Sequence, residues 1–297
     1  MARDFVLVDV FAPKAFGGKK LAVFVDADGL PDPLMRSIAR ELSFPETIFV
    51  LPPAKSEHTR RLRIFTPQIE LSFASHPTLG AAAALAHWDL IHLKNGRASM
   101  RMEMGLRVVD VDVIRQEHQI SSFLSFVPKV ETSRDRPRSE DLAPALSLQP
   151  LDIADAWFGT LGIAICFVQV WDRAAVDRVI LDATISAFYA KHPSIPPIFV
   201  FAGDCDNKGR LYARMFAPGL GMEEDPATLP ACAVLVNEMA RRSGLKEGCF
   251  ELSVTQGVAF GRASEIFASA TISRRRIVSV RVGGPSKVMG HGTITAL

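Results

Sequence analysis

The chain is poor in cysteine: Cys166, Cys205, Cys232 and Cys249 are its four, scattered with no Cys-x-x-Cys spacing. That excludes a thiolate zinc site and a dense disulfide framework, and it predicts buried free thiols in a reducing compartment. No apolar run approaches the ~18 residues that a membrane-spanning helix needs. Residues 1–8 hold no basic stretch leading into an apolar one, so no secretory signal is expected. Neither sign of charge dominates: 34 Lys and Arg stand against 32 Asp and Glu, a net charge of +2. Such a balance creates no field to attract nucleic acid or an anionic membrane, which leaves a small-molecule partner and a cytoplasmic location as expectations. His58, His76, His87, His92, His118, His192 and His291 show no His-Glu-x-x-His or similar spacing, so no metal is expected. No glycine-rich turn follows a strand as a nucleotide's phosphates require; Gly17-Gly18 is too little, and no cofactor is expected.

What is present is core-forming material, 48% hydrophobic against 22% charged residues, over a length that suits two domains. Residues 5–11, 21–25, 46–51 and 59–65 read as short strands, and 97–114 alternates like a hairpin. Residues 31–42 read as a helix that Asp32 can cap. Ser75-His76-Pro77-Thr78 leads into a small-residue run at 79–86, a helix with proline in its first turn. Residues 131–151 are rich in proline, serine and charge and read as a loop or boundary. Strand patterns recur at 162–170, 198–202, 211–216, 250–256, 265–273 and 277–282, with a helix near 231–242. Short strands with few helices predict an α+β fold rather than a doubly wound parallel sheet.

The two halves echo each other. Arg63-Ile-Phe-Thr-Pro67 precedes His76-Pro-Thr-Leu79 and an alanine-rich helix; Arg214-Met-Phe-Ala-Pro218 precedes Asp225-Pro-Ala-Thr228 and a second helix of small and apolar residues. The copies lie about half a chain length apart, as a duplicated strand–loop–helix unit would. Each helix is expected to open at His-Pro or Asp-Pro, with Asp225 as N-cap, and free N–H groups at such starts attract anions.

Beyond these patterns, the chain resembles the PhzF-like family, named for an isomerase of phenazine biosynthesis and sharing the two-lobed diaminopimelate epimerase-like fold. The resemblance rests on Asp9-Val-Phe-Ala12 through Gly17-Gly18 to Leu21-Ala-Val-Phe24, on Glu46-Thr-Ile-Phe49, and on Phe65-Thr-Pro67 with Glu70-Leu-Ser-Phe-Ala-Ser-His-Pro-Thr-Leu-Gly80. It continues with Phe216-Ala-Pro218, Glu224-Asp-Pro-Ala-Thr228, Gln256-Gly257, Gly261-Arg262 with Ser264, and Val282-Gly-Gly284. It implies two pseudo-symmetric lobes, each a small mostly antiparallel sheet rolled around a central helix, with the active site between them. The expected lobes are 1–118 with 284–297, and 119–283. It also implies a homodimer and an isomerisation that moves a proton within a cyclic dihydroxyanthranilate-type substrate, without metal or organic cofactor. Glu46 would be the acid/base, with His76 and Asp225 in the same site. Gly18 and Lys19, then Ser75, Pro77 and Thr78, then Ala227, Thr228, Leu229 and Pro230 would line the substrate.

The residues partly carry this reading by themselves. Glu46 sits among Phe44, Pro45, Ile48 and Phe49, an apolar setting that would raise its pKa toward the range where a carboxylate can both take and return a proton. From the residues alone, a surface glutamate at a strand edge fits equally. His76 can hold or donate a proton near neutral pH. Glu70, Glu223 and Glu224 read as solvated or structural. A cysteine-based epimerase would need thiols at the two helix starts, where His76 and Asp225 stand instead.

Three segments depart from the family pattern. Leu229-Pro230 replaces Gly-Ser, adding bulk and removing an N–H donor. Ser75 replaces glycine, and Gly18-Lys19-Lys20 stands where Gly-Asn-Pro is usual. These departures point to a substrate other than the phenazine precursor. The alternative reading is a non-catalytic ligand-binding or regulatory protein of the same fold, which the altered second signature favours and the retained Glu46, His76 and Asp225 oppose.

Overall fold

The computed structural model describes residues 2–105, 107–182, 185, 196–203 and 209–295, so Cys205 and His192 lie outside the described residues. The chain separates into two compact units, Met1–Phe126 with Gly283–Leu297, and Val127–Val282.

In the first unit, elements follow in the order β1 (Arg3–Val10), β2 (Lys19–Phe24), α1 (Asp32–Leu42), β3 (Thr47–Leu51), β4 (Arg60–Phe65), β5 (Glu70–Leu71), α2 (Ser75–His87), β6 (Arg97–Met104), β7 (Arg107–Gln116) and β8 (Gln119–Phe126). The second unit holds β9 (Glu131–Thr132), α3 (Ser139–Ala145), β10 (Ile153–Thr160), β11 (Ala164–Val170), α4 (Arg173–Arg178), β12 (Ile198–Gly203), β13 (Gly209–Ala217), β14 (Met222–Asp225), α5 (Leu229–Arg242), β15 (Gly248–Gln256) and β16 (Ser264–Ser273). The last strand, β17 (Arg276–Ile294), begins in the second unit and ends in the first.

The strands of the first unit close on themselves. β1 pairs β2, β2 runs parallel to β3, β3 pairs β4, β4 runs parallel to β6, and β6, β7 and β8 form a meander. β17 then bridges β8 and β1, closing the ring. Inside runs α2, buried from His76 to Ala86. The run of alanines explains this placement: a helix clad in methyl groups is narrow and apolar on every side, so it fills a barrel without needing a polar face. Gly80 lets it approach most closely, since a Cβ there would lie 2.7 Å from Leu21 Cδ2 and 2.8 Å from Val10 Cγ2.

The amphipathic helix α1 covers the outside of the same strands, packing Met35, Ile38 and Ala39 against Phe24, Phe49, Leu51 and Phe65. Strand β3, with all five residues buried, is therefore covered on both faces. Phe49 and Leu51 point to α1, so alternation turns Ile48, Val50 and the preceding Glu46 toward α2.

The second unit repeats this scheme pairing for pairing. β10–β11 are antiparallel, β11–β12 parallel, β12–β13 and β13–β14 antiparallel, β13–β15 parallel and β15–β16 antiparallel, the same succession as β1–β2, β2–β3, β3–β4, β4–β5, β4–β6 and β6–β7. The helix α5 packs on β15 and β16 and buries most of its residues. The echo extends to side chains. Arg63 Nε and Nη2 grip Glu70 at 2.7 and 2.8 Å, with the guanidinium 5.2 Å from the Phe65 ring centre. Arg214 likewise grips Glu224 (Nη2–Oε2 2.8 Å) and lies 4.8 Å from the Phe216 ring centre.

Several local expectations are corrected. Helix α1 is entered from Pro31, and the Asp32 carboxylate makes no cap; it pairs with Arg63, whose Nη2 lies 3.0 Å from Oδ2. The loop expected at 131–151 contains β9 and α3. The boundary expected at residue 118 falls at 126, because β8 pairs with β7 from Gln119 to Leu124 and joins β17. That junction is tight: a Cβ on Gly283 would lie 2.0 Å from the Ser122 carbonyl oxygen. Cys166 and Cys232 are buried thiols, but Cys249 is exposed.

Candidate active site

In the first unit, the β-alternation of β3 and the start of α2 bring two expected residues into contact. Glu46 precedes the first residue of β3, and its carbonyl oxygen accepts the Ala22 N–H at 3.3 Å, extending the β2–β3 ladder by one step. That bond fixes the backbone from which the side chain projects toward α2. His76 is the second residue of α2, behind an extended Ala74 and before Pro77 in the first turn. Its Nε2 lies 3.0 Å from Glu46 Oε2. The side chains are 11% and 17% exposed, so the pair is mostly withdrawn from water while still open to a ligand. A carboxylate and an imidazole in hydrogen-bond contact constitute an acid/base couple in which either partner can hold the proton.

The neighbouring expected residues divide. Ser75 is half-buried at the first helical position, and Pro77 is buried. Thr78 is fully buried, and its hydroxyl donates to the Ala74 carbonyl at 2.7 Å, which seals the helix entry. In the β1–β2 turn, Gly18 has φ +61°, and a Cβ there would lie 2.0 Å from the Val10 carbonyl oxygen, so the backbone approach demands glycine. Lys19 opens β2 opposite Val10 and is half-buried.

In the second unit, Asp225, Ala227, Thr228 and Leu229 come together and are buried, while Pro230 is exposed. The expected Asp-Pro helix start is corrected: α5 begins at Leu229 with Thr228 at the N-cap position, and the proline of its first turn is Pro230. There the missing N–H is one the helix could not have satisfied internally. Asp225 instead braces the turn before the helix, with Oδ1 accepting the Ala227 N–H at 3.2 Å and Oδ2 accepting the Thr228 hydroxyl at 2.9 Å.

Gln256, fully buried at the end of β15, completes this brace. Its Nε2 donates to the Asp225 carbonyl at 2.6 Å and to Thr228 Oγ1 at 3.0 Å, and its Oε1 accepts the Thr228 N–H at 3.1 Å. The next residue must be glycine: Gly257 has φ +75°, and a Cβ would meet the Pro226 carbonyl oxygen at 2.6 Å.

Sequence reasoning placed Gln256 in a matching segment without giving it a role. Its signal was a long amide at the end of an alternating strand. Asp9 was treated the same way. It is 3% exposed within valine-rich β1 and accepts the Phe16 N–H at 3.2 Å, and a carboxylate between Val8 and Val10 was the available clue. A second buried acid, Glu103, gave no local signal. Its carboxylate accepts the Ala54 and Lys55 N–H groups at 3.0 and 3.1 Å and contacts His58 Nδ1 at 2.6 Å. Burial pushes the Glu103 carboxyl up, but these donors outweigh it and hold the group below its ordinary value. Cys232 lies inside α5, where burial first and the Asp225 charge second drive its thiol well above the ordinary range, an unreactive setting.

The model of the phenazine biosynthesis-like (PhzC-PhzF) family matches residues 8–292. The chain belongs to that family. It is an isomerase of the PhzF kind. Its sequence is 32% identical to the trans-2,3-dihydro-3-hydroxyanthranilate isomerase of Pseudomonas fluorescens, over 98% of this chain and 99% of that one. It is 29% identical to an uncharacterized isomerase of Mesorhizobium japonicum, over 98% of each. The fold is that of a PhzF-family phenazine biosynthesis protein of Bacillus anthracis, with a TM-score of 0.82 at 21% identity over 99% of both chains. Among the described residues of this PhzF-family chain, no helix is long and apolar enough to cross a membrane.

Proposed function

We propose that this PhzF-family isomerase moves a proton between two carbons of a small cyclic or unsaturated metabolite, using Glu46 as acid/base and no cofactor. The observation that carries the proposal is the 3.0 Å contact of Glu46 with His76 at the mouth of the central helix. Ionised Glu46 removes a proton from carbon and becomes a neutral acid. The electron pair left on carbon moves into the adjoining double bond, and the acid returns its proton at the far end of the shifted system. His76 orients the carboxylate throughout. Charge is conserved at each step, so the chemistry needs no external electron sink. Asp225 contributes by holding residues 225–228 in shape. A homodimer forms part of the proposal and is checked by sedimentation.

The substrate differs, in this reading, from the compound that names the Pseudomonas fluorescens relative. Leu229 and Pro230 support this: one is a buried isobutyl group, and the other has no N–H to offer a ligand. The experiment is exchange in D2O, read by mass spectrometry, with trans-2,3-dihydro-3-hydroxyanthranilate and a panel of cyclic and unsaturated carboxylic acids. Whichever compound gains deuterium, Glu46→Gln should lower the rate on the order of 10³-fold. Wild-type exchange by that variant refutes the role of Glu46. Efficient conversion of the hydroxyanthranilate refutes the altered selectivity alone.

A further inference from the structure

The first unit contains a second candidate site, at the opposite end of α2 from His76. A cavity of about 670 Å³ opens there among the first residues of β1, the segments following β2 and β3, the first residue of β4, and the chain beyond α2. Twelve residues at about 1.5 Å each separate His76 from Trp88 on its wall, roughly 18 Å along the helix. The volume is within the range of small-molecule sites.

The cavity's charges are not spent on each other. Arg3 and Arg60 both line it. Arg3 Nη2 donates to the Asp28 carbonyl at 2.8 Å, and among the described residues its buried Nε has no partner. Among the described residues, Arg60 donates to main-chain carbonyls alone, those of Thr59 and Leu90. Among the described residues, neither guanidinium pairs with a carboxylate, and Asp26, on the same wall, pairs with no cation. Arg3 opens β1, and Asp26 lies two residues beyond β2, its antiparallel neighbour. The same lining carries the apolar surfaces of Trp88, Leu90 and the Pro52-Pro53 pair.

We propose that this cavity binds an apolar α-amino acid as its zwitterion. The ligand carboxylate takes the guanidinium charges of Arg3 and Arg60, a pairing that a planar guanidinium suits. The ammonium group takes Asp26, helped by the carbonyl end of the α2 dipole, which favours a cation. The side chain lies against Trp88 and the prolines.

Isothermal titration of the intact chain with L-tryptophan and L-leucine tests this. Saturable binding of at least one is expected. Tryptamine and indole-3-propionate, each lacking one charge, should bind at least about tenfold more weakly than L-tryptophan. Arg60→Met and Asp26→Asn should each weaken binding by at least about tenfold; Asp26 is exposed, so its variant keeps the fold. The proposal is overturned if neither amino acid saturates, if tryptamine matches L-tryptophan, or if both variants bind as the wild type does. Loss of binding in His76→Ala with both cavity variants unaffected would place the ligand at the Glu46–His76 pair instead, and that also overturns it.

Discussion

Gly80 presents a contest of two effects whose sizes can be compared. It lies in the interior of α2, where Gly→Ala ordinarily stabilises by about 0.5–1 kcal/mol, because alanine has less backbone entropy to lose. Here the added methyl would stand 2.7 Å from Leu21 Cδ2 and 2.8 Å from Val10 Cγ2, about 1 Å inside ordinary contact. Both neighbours are fully buried, and Val10 is β-branched with little rotamer freedom. Neither can move into solvent, so the strain falls on the helix–strand packing. Overpacking of this kind costs about 1–3 kcal/mol and outweighs the propensity gain. Gly80→Ala should therefore destabilise the protein by about 1–2 kcal/mol, seen as a lower urea midpoint by circular dichroism with an unchanged slope. The same displacement reaches His76, one turn earlier on the same helix face, so turnover should fall as well. A Gly80→Ala protein more stable than wild type would refute the idea that the helix sits in contact with β1 and β2 at this point.

Two further perturbations test other buried contacts. Gln256→Leu leaves the Thr228 N–H and the Asp225 carbonyl without their partner, so a cost of about 2–4 kcal/mol in thermal or urea unfolding is expected; a neutral change would show that the brace has no energetic role. Glu103 has a folded pKa held below the ordinary 4.5, so its stabilisation is complete above that value and is lost as pH falls through the folded one. Melting temperature measured against pH should fall more steeply on the acid side in wild type than in Glu103→Gln, and parallel curves would contradict the assignment.

The sequence made the local features legible. The period-2 run through Glu46 and β3, the alanine content of α2 and the Arg-x-Phe-x-Pro repeat each announce themselves within a few residues. What stayed hidden depends on partners far along the chain. Nothing near Glu103 shows that the Ala54 and Lys55 amides will face it, and nothing in β8 reveals a pairing with β17. Asp32 and Asp225 look like helix caps by position, since aspartate serves as cap, ion-pair partner and turn brace with equal ease. The tertiary neighbours Arg63 and Gln256 decide between those uses.

The route of β17 has a kinetic consequence. Arg3 pairs with Ile294, so the barrel around α2 is sealed by the last strand of the chain. On the ribosome the second unit is contiguous and can complete its sheet while the first still lacks a stave. The Glu46–His76 couple thus reaches its final enclosure only once β17 has been made and has closed a loop that spans nearly the whole described chain, a contact whose large sequence separation makes it slow to form.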